Sequence, residues 1–200
     1  MTFPTATAPL PLRGNRLTMG LARATLSLAG WRIDGELPRE PKFVVIVAPH
    51  TSNWDFLLGV TAKSALGLRV SWLGKHTLFR PPFDILLRWL GGIPVDRSAP
   101  HGVVGECIAA FSNAPKLVLG LAPEGTRKGE SRWRTGFYQI AAGAGVAILP
   151  VAFDYGTRAV RLFPVLYPSG DLNVDLARLT SLYRDVRGKH PRSVMQINTH

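Results

Sequence analysis

Phe43-Val44-Val45-Ile46-Val47-Ala48-Pro49-His50-Thr51-Ser52-Asn53-Trp54-Asp55 is an apolar run that stops at a proline and opens onto polar residues. Consecutive apolar residues rich in valine predict a strand buried on both faces. The pattern from Trp54 to Leu66 predicts a helix, so His50 and Asp55 sit where a strand hands over to a helix. Rigid α/β scaffolds often present catalytic groups on such loops. On one continuous helix, five residues at about 100° each would set the two side chains about 140° apart. They meet only if His50 lies outside the helix, folded back over its first turn, with Ser52 or Asn53 as the cap. A carboxylate that holds one imidazole nitrogen leaves the other to take a proton, which makes a general base with its orienter. The same residues also fit a surface histidine before a helix, with Asp55 as a first-turn acid favoured by the helix dipole.

Outward from this stretch the chain alternates. Strand-like segments are Phe43–Ala48, Val70–Leu73, Gly92–Val95, Lys116–Leu121, Ala147–Phe153 and Ala159–Phe163. Helix-like segments are Trp54–Leu66, Pro82–Leu90, Val103–Phe111, Trp133–Ala142 and Val174–Val186. This alternation predicts a single α/β domain: a largely parallel or mixed central sheet with helices on both faces. Ahead of it, Leu12 to Ile33 carries Leu17, Leu21, Ala24 and Leu28 at helical spacing, with Arg13, Arg16, Arg23 and Arg32 among them. The run falls short of the roughly 18–20 uninterrupted apolar residues of a spanning helix, and it lacks a good cleavage site. It reads as an amphipathic helix lying on a membrane surface or on the domain's own core. Residues 1–36 are thus expected to form a membrane-associating segment and residues 37–200 the main domain. Residues 1–11 are expected to be a loose start, and the basic tail after Gly188 a frayed end.

The chain has 200 residues, of which 46% are hydrophobic and 18% charged, which excludes a disordered protein. Its net charge of +11 suits an anionic partner: nucleic acid, an anionic membrane surface or a phosphorylated substrate. Arginine outnumbers lysine, which favours bidentate contacts to oxyanions. A single cysteine, Cys107, excludes an internal disulfide and a Cys-based zinc site; its apolar surroundings predict core packing. His50, His76 and His101 lack the spacing of metal ligands.

Further unusual residues fall at strand ends. They are Gly74-Lys75-His76 with Gly91 to Arg97, then Ala122-Pro123-Glu124-Gly125-Thr126-Arg127-Lys128-Gly129, then Leu149-Pro150-Val151. The second of these reads as an oxyanion cradle: Gly125 lets the backbone approach, Thr126 adds a hydroxyl and Arg127 grips two oxygens. Glu124 would hold Arg127 or a substrate hydroxyl. Taken alone, that stretch fits a plain turn with a salt bridge better.

Together the four stretches resemble the glycerophospholipid acyltransferase family, the lysophospholipid or 1-acylglycerol-3-phosphate O-acyltransferases. The family's H-x4-D motif is matched by His50 to Asp55. Its second motif, from a Lys to G-x-P-V-x-R, is matched by Lys75 and by Gly92 to Arg97. F-P-E-G-T-R is matched by Ala122 to Arg127, and an apolar run ending in proline by Val146 to Pro150. The matches keep the family's order over about residues 43 to 153. Ala122 replaces the usual Phe, Lys128 stands where Ser is common, and Asp84 falls near a position often held by Gly. The chain is also short for segments that some members use to bind acyl chains. These departures bear on the substrate more than on the reaction.

The resemblance implies transfer of a fatty acyl group from acyl-CoA or acyl carrier protein to a hydroxyl of a lysophospholipid, such as 1-acyl-glycerol-3-phosphate. In that reading residues 37–200 are an acyltransferase domain in phospholipid biosynthesis. His50 would take the proton of the attacking hydroxyl and Asp55 would hold the imidazole, as in a triad without the serine. No acyl-enzyme is needed, and no G-x-S-x-G elbow is present. Lys75, Arg97 and Arg127 would bind the acceptor phosphate, Glu124 the glycerol, and Gly125 and Thr126 complete the site. No cofactor or metal is implied, and the expected place is peripheral, on the cytoplasmic face of an anionic membrane. The alternatives are another lysolipid acceptor (a lyso-ornithine lipid, or transacylation), a thioester hydrolase, and a basic nucleic-acid-binding protein. No nucleic-acid-binding signature accompanies the charge, so nucleic acid is not an expected partner.

Overall fold

The computed structural model describes residues 3–7, 9–95, 102–124 and 133–190. Its strands are β1 (Arg32–Asp34), β2 (Lys42–Ala48), β3 (Ser71–Lys75), β4 (Gly92–Val95), β5 (Leu117–Leu121), β6 (Ala147–Asp154) and β7 (Ala159–Leu162). Its helices are α1 (Arg16–Leu28), α2 (Trp54–Leu66), α3 (Asp84–Trp89), α4 (Gly102–Asn113), α5 (Gly136–Ala144) and α6 (Leu172–Ser181). The strands form one sheet in the order β1-β7-β6-β2-β5-β3-β4. Every neighbouring pair is parallel except β6 with β7, so the expected mixed α/β sheet is found.

The valine-rich run explains the centre. As β2 it pairs with β5 on one side and β6 on the other, and its side chains alternate between two cores. Phe43 and Val45 join Ala22 and Leu26 of α1 and Leu58, Ala62 and Leu66 of α2. Val44, Ile46 and Ala48 join Phe111 of α4, Phe137 and Ile140 of α5, and Leu179 of α6. Helices therefore cover both faces, which is why the strand needs no polar side. Cys107 lies in the second core, and burial, then Glu106, pushes its thiol up to about 11.

Several boundaries differ from the sequence expectation. The N-terminal helix is shorter than Leu12 to Ile33. It starts behind a reciprocal cap in which Asn15 Oδ1 accepts from the Thr18 N–H and Thr18 Oγ1 accepts from the Asn15 N–H, both at 2.9 Å. Residues 32–34 leave it to become β1, because Ile33 is drawn into the core when the segment pairs with β7. Helix α1 packs on α2 through Ala22 and Leu26, and the Arg23 guanidinium donates to the Ala65 carbonyl at 2.9 Å. The leucines of the expected apolar stripe point the other way: Leu17, Leu21 and Leu28 are 69%, 61% and 90% exposed.

The described residues among the first eleven are better held than the loose start expected there, and of the tail expected to fray after Gly188, residues 191–200 lie outside the described residues. Ala6 and Leu10 are buried, and the Ala6 N–H donates to the Leu66 carbonyl at 2.8 Å. Near the other end, the Arg187 carbonyl accepts from the Tyr155 N–H at 2.8 Å, and the Lys189 ammonium lies 4.4 Å from the centre of the Trp54 ring. Among the described residues no helix is long and apolar enough to cross a membrane.

Candidate active site

Strands β2, β3 and β5 run parallel and end at one edge of the sheet, where an open α/β fold gathers its ligands. The turn after β2 carries His50 back over the first turn of α2, as the spacing required. Ser52 Oγ accepts from the Trp54 N–H at 3.2 Å, whereas Asn53, the residue at the cap position, makes no side-chain cap bond. Asp55 then sits inside the loop that it closes. Its Oδ2 accepts from the Thr51 and Ser52 N–H groups, each at 2.8 Å, and lies 3.4 Å from His50 Nδ1. The Asp55 side chain is 0% exposed and that of His50 is 22% exposed, so a buried carboxylate backs an imidazole that reaches the surface of the site.

Among the described residues, Glu124 and Tyr155 also converge on the pair. Glu124 stands just beyond the end of β5, and its Oε1 accepts from the His50 backbone N–H at 3.0 Å. The expected partner of Glu124 was Arg127 or a substrate hydroxyl; the described geometry ties it to the histidine's own backbone. From the end of β6, the Tyr155 hydroxyl donates to Asp55 Oδ1 at 2.8 Å. Burial and then this hydrogen bond push the phenol well above its usual range, so Tyr155 stays protonated as a donor. The C-terminal arm closes the loop from outside: the His190 N–H donates to Thr51 Oγ1 at 3.4 Å.

Of the other residues expected at the site, Lys75 is the last residue of β3, and its side chain is outside what is described. Arg97, Gly125, Thr126 and Arg127 lie outside the described residues, as does His101.

His50 and Asp55 line a cavity of about 1010 Å³ that is walled by α2 on one face of the sheet and by α4 and α5 on the other. Its walls are mostly apolar: Phe56, Gly59 and Leu66 from α2, and Val45, Leu149, Val151 and Phe153 from the sheet. Lys63 is the exception on the helix wall. Its ammonium donates to the Leu90 carbonyl, which also accepts from the Trp72 indole N–H at 3.3 Å. Burial, then the Arg13 guanidinium, lowers its pKa to about 8. Arg134 lines the same cavity, brought there by the bond from its backbone N–H to the Pro123 carbonyl at 2.8 Å.

Sequence reading missed Tyr155, Lys63 and Arg134. Lys63 left a signal, as the lone cation in an apolar helix. Tyr155 left none, because it lies 100 residues from the carboxylate that it touches.

A family model described as Acyltransferase matches residues 32–154, a stretch that holds His50, Asp55, Glu124 and most of the cavity wall. This chain belongs to the Acyltransferase family. Among similar Acyltransferase proteins is the 1-acyl-sn-glycerol-3-phosphate acyltransferase of Escherichia coli K12, 30% identical over 125 residues, which are 59% of this chain and 49% of that protein. The protein of the same name from Haemophilus influenzae is 30% identical over 134 residues, covering 62% of this chain and 54% of its own length. The chain thus spans about half the length of the curated relatives it matches. The crystal structure of the 1-acyl-sn-glycerophosphate acyltransferase PlsC from Thermotoga maritima superposes with a TM-score of 0.59 at 17% identity, covering 84% of this chain and 75% of that one. At that identity the likeness is one of fold.

Proposed function

We propose that this protein transfers a fatty acyl group from a thioester, acyl-CoA or acyl carrier protein, to a hydroxyl of a lysophospholipid such as 1-acyl-glycerol-3-phosphate. The observation that carries the proposal is the His50–Asp55 pair at the head of a large apolar cavity. With Nδ1 turned to Asp55, Nε2 is the nitrogen to take the proton from the acceptor hydroxyl as its oxygen attacks the thioester carbonyl. The buried carboxylate stabilises the imidazolium so formed, and the proton can pass on to the leaving thiolate. The acyl chain, which gains about 0.8 kcal/mol for each methylene removed from water, fits the space beneath α2. Arg134 joins Lys75, Arg97 and Arg127 as a candidate for the acceptor phosphate. The names of the relatives support this choice of acceptor, and no cofactor enters the reaction.

The same proposal places the protein on an anionic membrane. The outward leucines of α1 are one part of the support. The other is α3, in which no residue is buried and Ile85 and Trp89 are exposed, with the Arg13 guanidinium 4.7 Å from the Trp89 ring. Exposed leucine and tryptophan beside arginine suit a lipid interface.

A screen of lysolipid acceptors with labelled acyl-CoA, read by mass spectrometry of the products, tests the reaction. Acylated lysophosphatidic acid is the expected product. Thiol release with no acylated lipid from any acceptor overturns transfer in favour of hydrolysis.

A further inference from the structure

Asp55 uses its two oxygens differently. Oδ2 takes the Thr51 and Ser52 N–H groups and faces His50, whereas Oδ1 accepts from the Tyr155 hydroxyl. Without a donor on Oδ1, the carboxylate could turn about its last bond and spoil the one orientation that serves the imidazole. Tyr155 is itself fixed. Its backbone N–H donates to Arg187, and its ring meets the Trp31 ring edge-on, with centroids 4.9 Å apart at 87°. The phenol thus ties Asp55 to two segments far from it in sequence.

We propose that Tyr155 is a positioning residue: its hydroxyl locks Asp55 Oδ1 so that Oδ2 is presented to His50, and it sets how strongly the carboxylate holds the imidazolium. This rests on the reading of His50 as general base. A donor on Oδ1 draws negative charge away from Oδ2 and tempers the pull of Asp55 on the proton of His50. Among the described residues, the other charged groups near His50 include Glu124, which holds its backbone N–H, and Arg134, which lines the same cavity; neither bonds to Tyr155. Tyr155→Phe therefore changes the shell of Asp55 alone and keeps the ring against Trp31.

The test titrates the His50 imidazole by NMR in the full-length wild-type protein and in Tyr155→Phe, and measures steady-state acyl transfer by both across pH. With the tempering donor gone, the pKa of His50 is expected to rise, and the acid limb of kcat to move to higher pH. The loosened carboxylate lowers kcat roughly tenfold with KM for the acceptor unchanged. A ring that only fills space would move none of these. An unshifted His50 pKa in folded Tyr155→Phe overturns the proposal, whatever happens to turnover. So does a fall in kcat that comes with a fixed acid limb. If wild-type protein transfers no acyl group, the acyltransferase reading fails, while the titration still decides the role of Tyr155. Should Tyr155→Phe fail to fold, fluorotyrosine at position 155, a stronger donor, gives the opposite sign: the His50 pKa falls if Tyr155 acts through Asp55, and stays put if it does not.

Discussion

Truncating His50 at Cβ removes the imidazole but leaves the backbone N–H that Glu124 accepts from, so the loop keeps that tie. His50→Ala is expected to lower acyl transfer by roughly 10²-fold or more with the fold intact. Substantial turnover by folded variant protein would end the general-base role. Lys63 offers a different measurement. Its pKa in the folded protein is about 8 against an ordinary 10.5, so between those values the unfolded chain holds a proton that the folded chain has lost. Stability carried by this group therefore rises with pH across that window, and the penalty is fully present below it. Comparing the Tm of Lys63→Met with wild type from pH 7 to pH 10 should show the difference moving steadily against the variant; a difference that does not change with pH refutes the assignment. At this scale the sequence was readable where chemistry and spacing coincide. His50 and Asp55 are five residues apart, and helix geometry set the condition for their meeting, that His50 lie outside the helix and fold back over its first turn. Glu124 was singled out, but its partner was not, because that contact spans 74 residues.

At the scale of elements, α2 joins the two halves of the proposed reaction. Its first turn holds Asp55, and its inner face walls the cavity through Phe56, Gly59 and Lys63. Glycine inside a helix costs about 1 kcal/mol relative to alanine, and Gly59 leaves the cavity open one turn below His50 and Asp55. A Cβ there would meet the Phe153 ring at 3.4 Å, ordinary contact, but a longer side chain must project into the space. Gly59→Leu is expected to lower kcat/KM for a palmitoyl donor by roughly tenfold or more relative to a butyryl donor; an unaltered ratio means that the chain runs elsewhere. Helix α1 can be tested by replacing Leu17, Leu21 and Leu28 with serine. Because none of them packs inward, Tm should hold while affinity for anionic vesicles falls, by about 1 kcal/mol or more per leucine. Equal vesicle binding would remove α1 from the membrane reading. The apolar runs announced six of the seven strands. Strand β1 escaped because Arg-Ile-Asp has one apolar residue and owes its place to β7. Helix α5 starts later than expected because Trp133 is held in the core by edge-on contacts with Phe137 and Tyr183.

For the whole molecule, the α/β class followed from alternation, whereas the strand order did not. The four residues between β6 and β7, Gly156 among them, are too few for a parallel crossover and signal the antiparallel pair, but nothing local says that β7 offers its other edge to β1. The same holds for the described part of the N-terminal stretch, whose prolines and small residues resemble a loose start although Ala6 and Leu10 are buried and Ala6 bonds to the end of α2. The central place of β2 has a consequence for how the protein opens. Its amides are bonded to strands on both sides and its side chains are buried on both faces, so they should exchange with solvent deuterium only when the whole domain unfolds. Helix α3 buries no residue and should exchange through small local openings. Hydrogen–deuterium exchange is expected to find slow amides through Val44, Val45 and Ile46, and fast ones through Ile85 and Leu86. The His50 loop would then be fastened to the least yielding strand in the protein, leaving any opening that admits a lipid to the β3–β4 edge and α3.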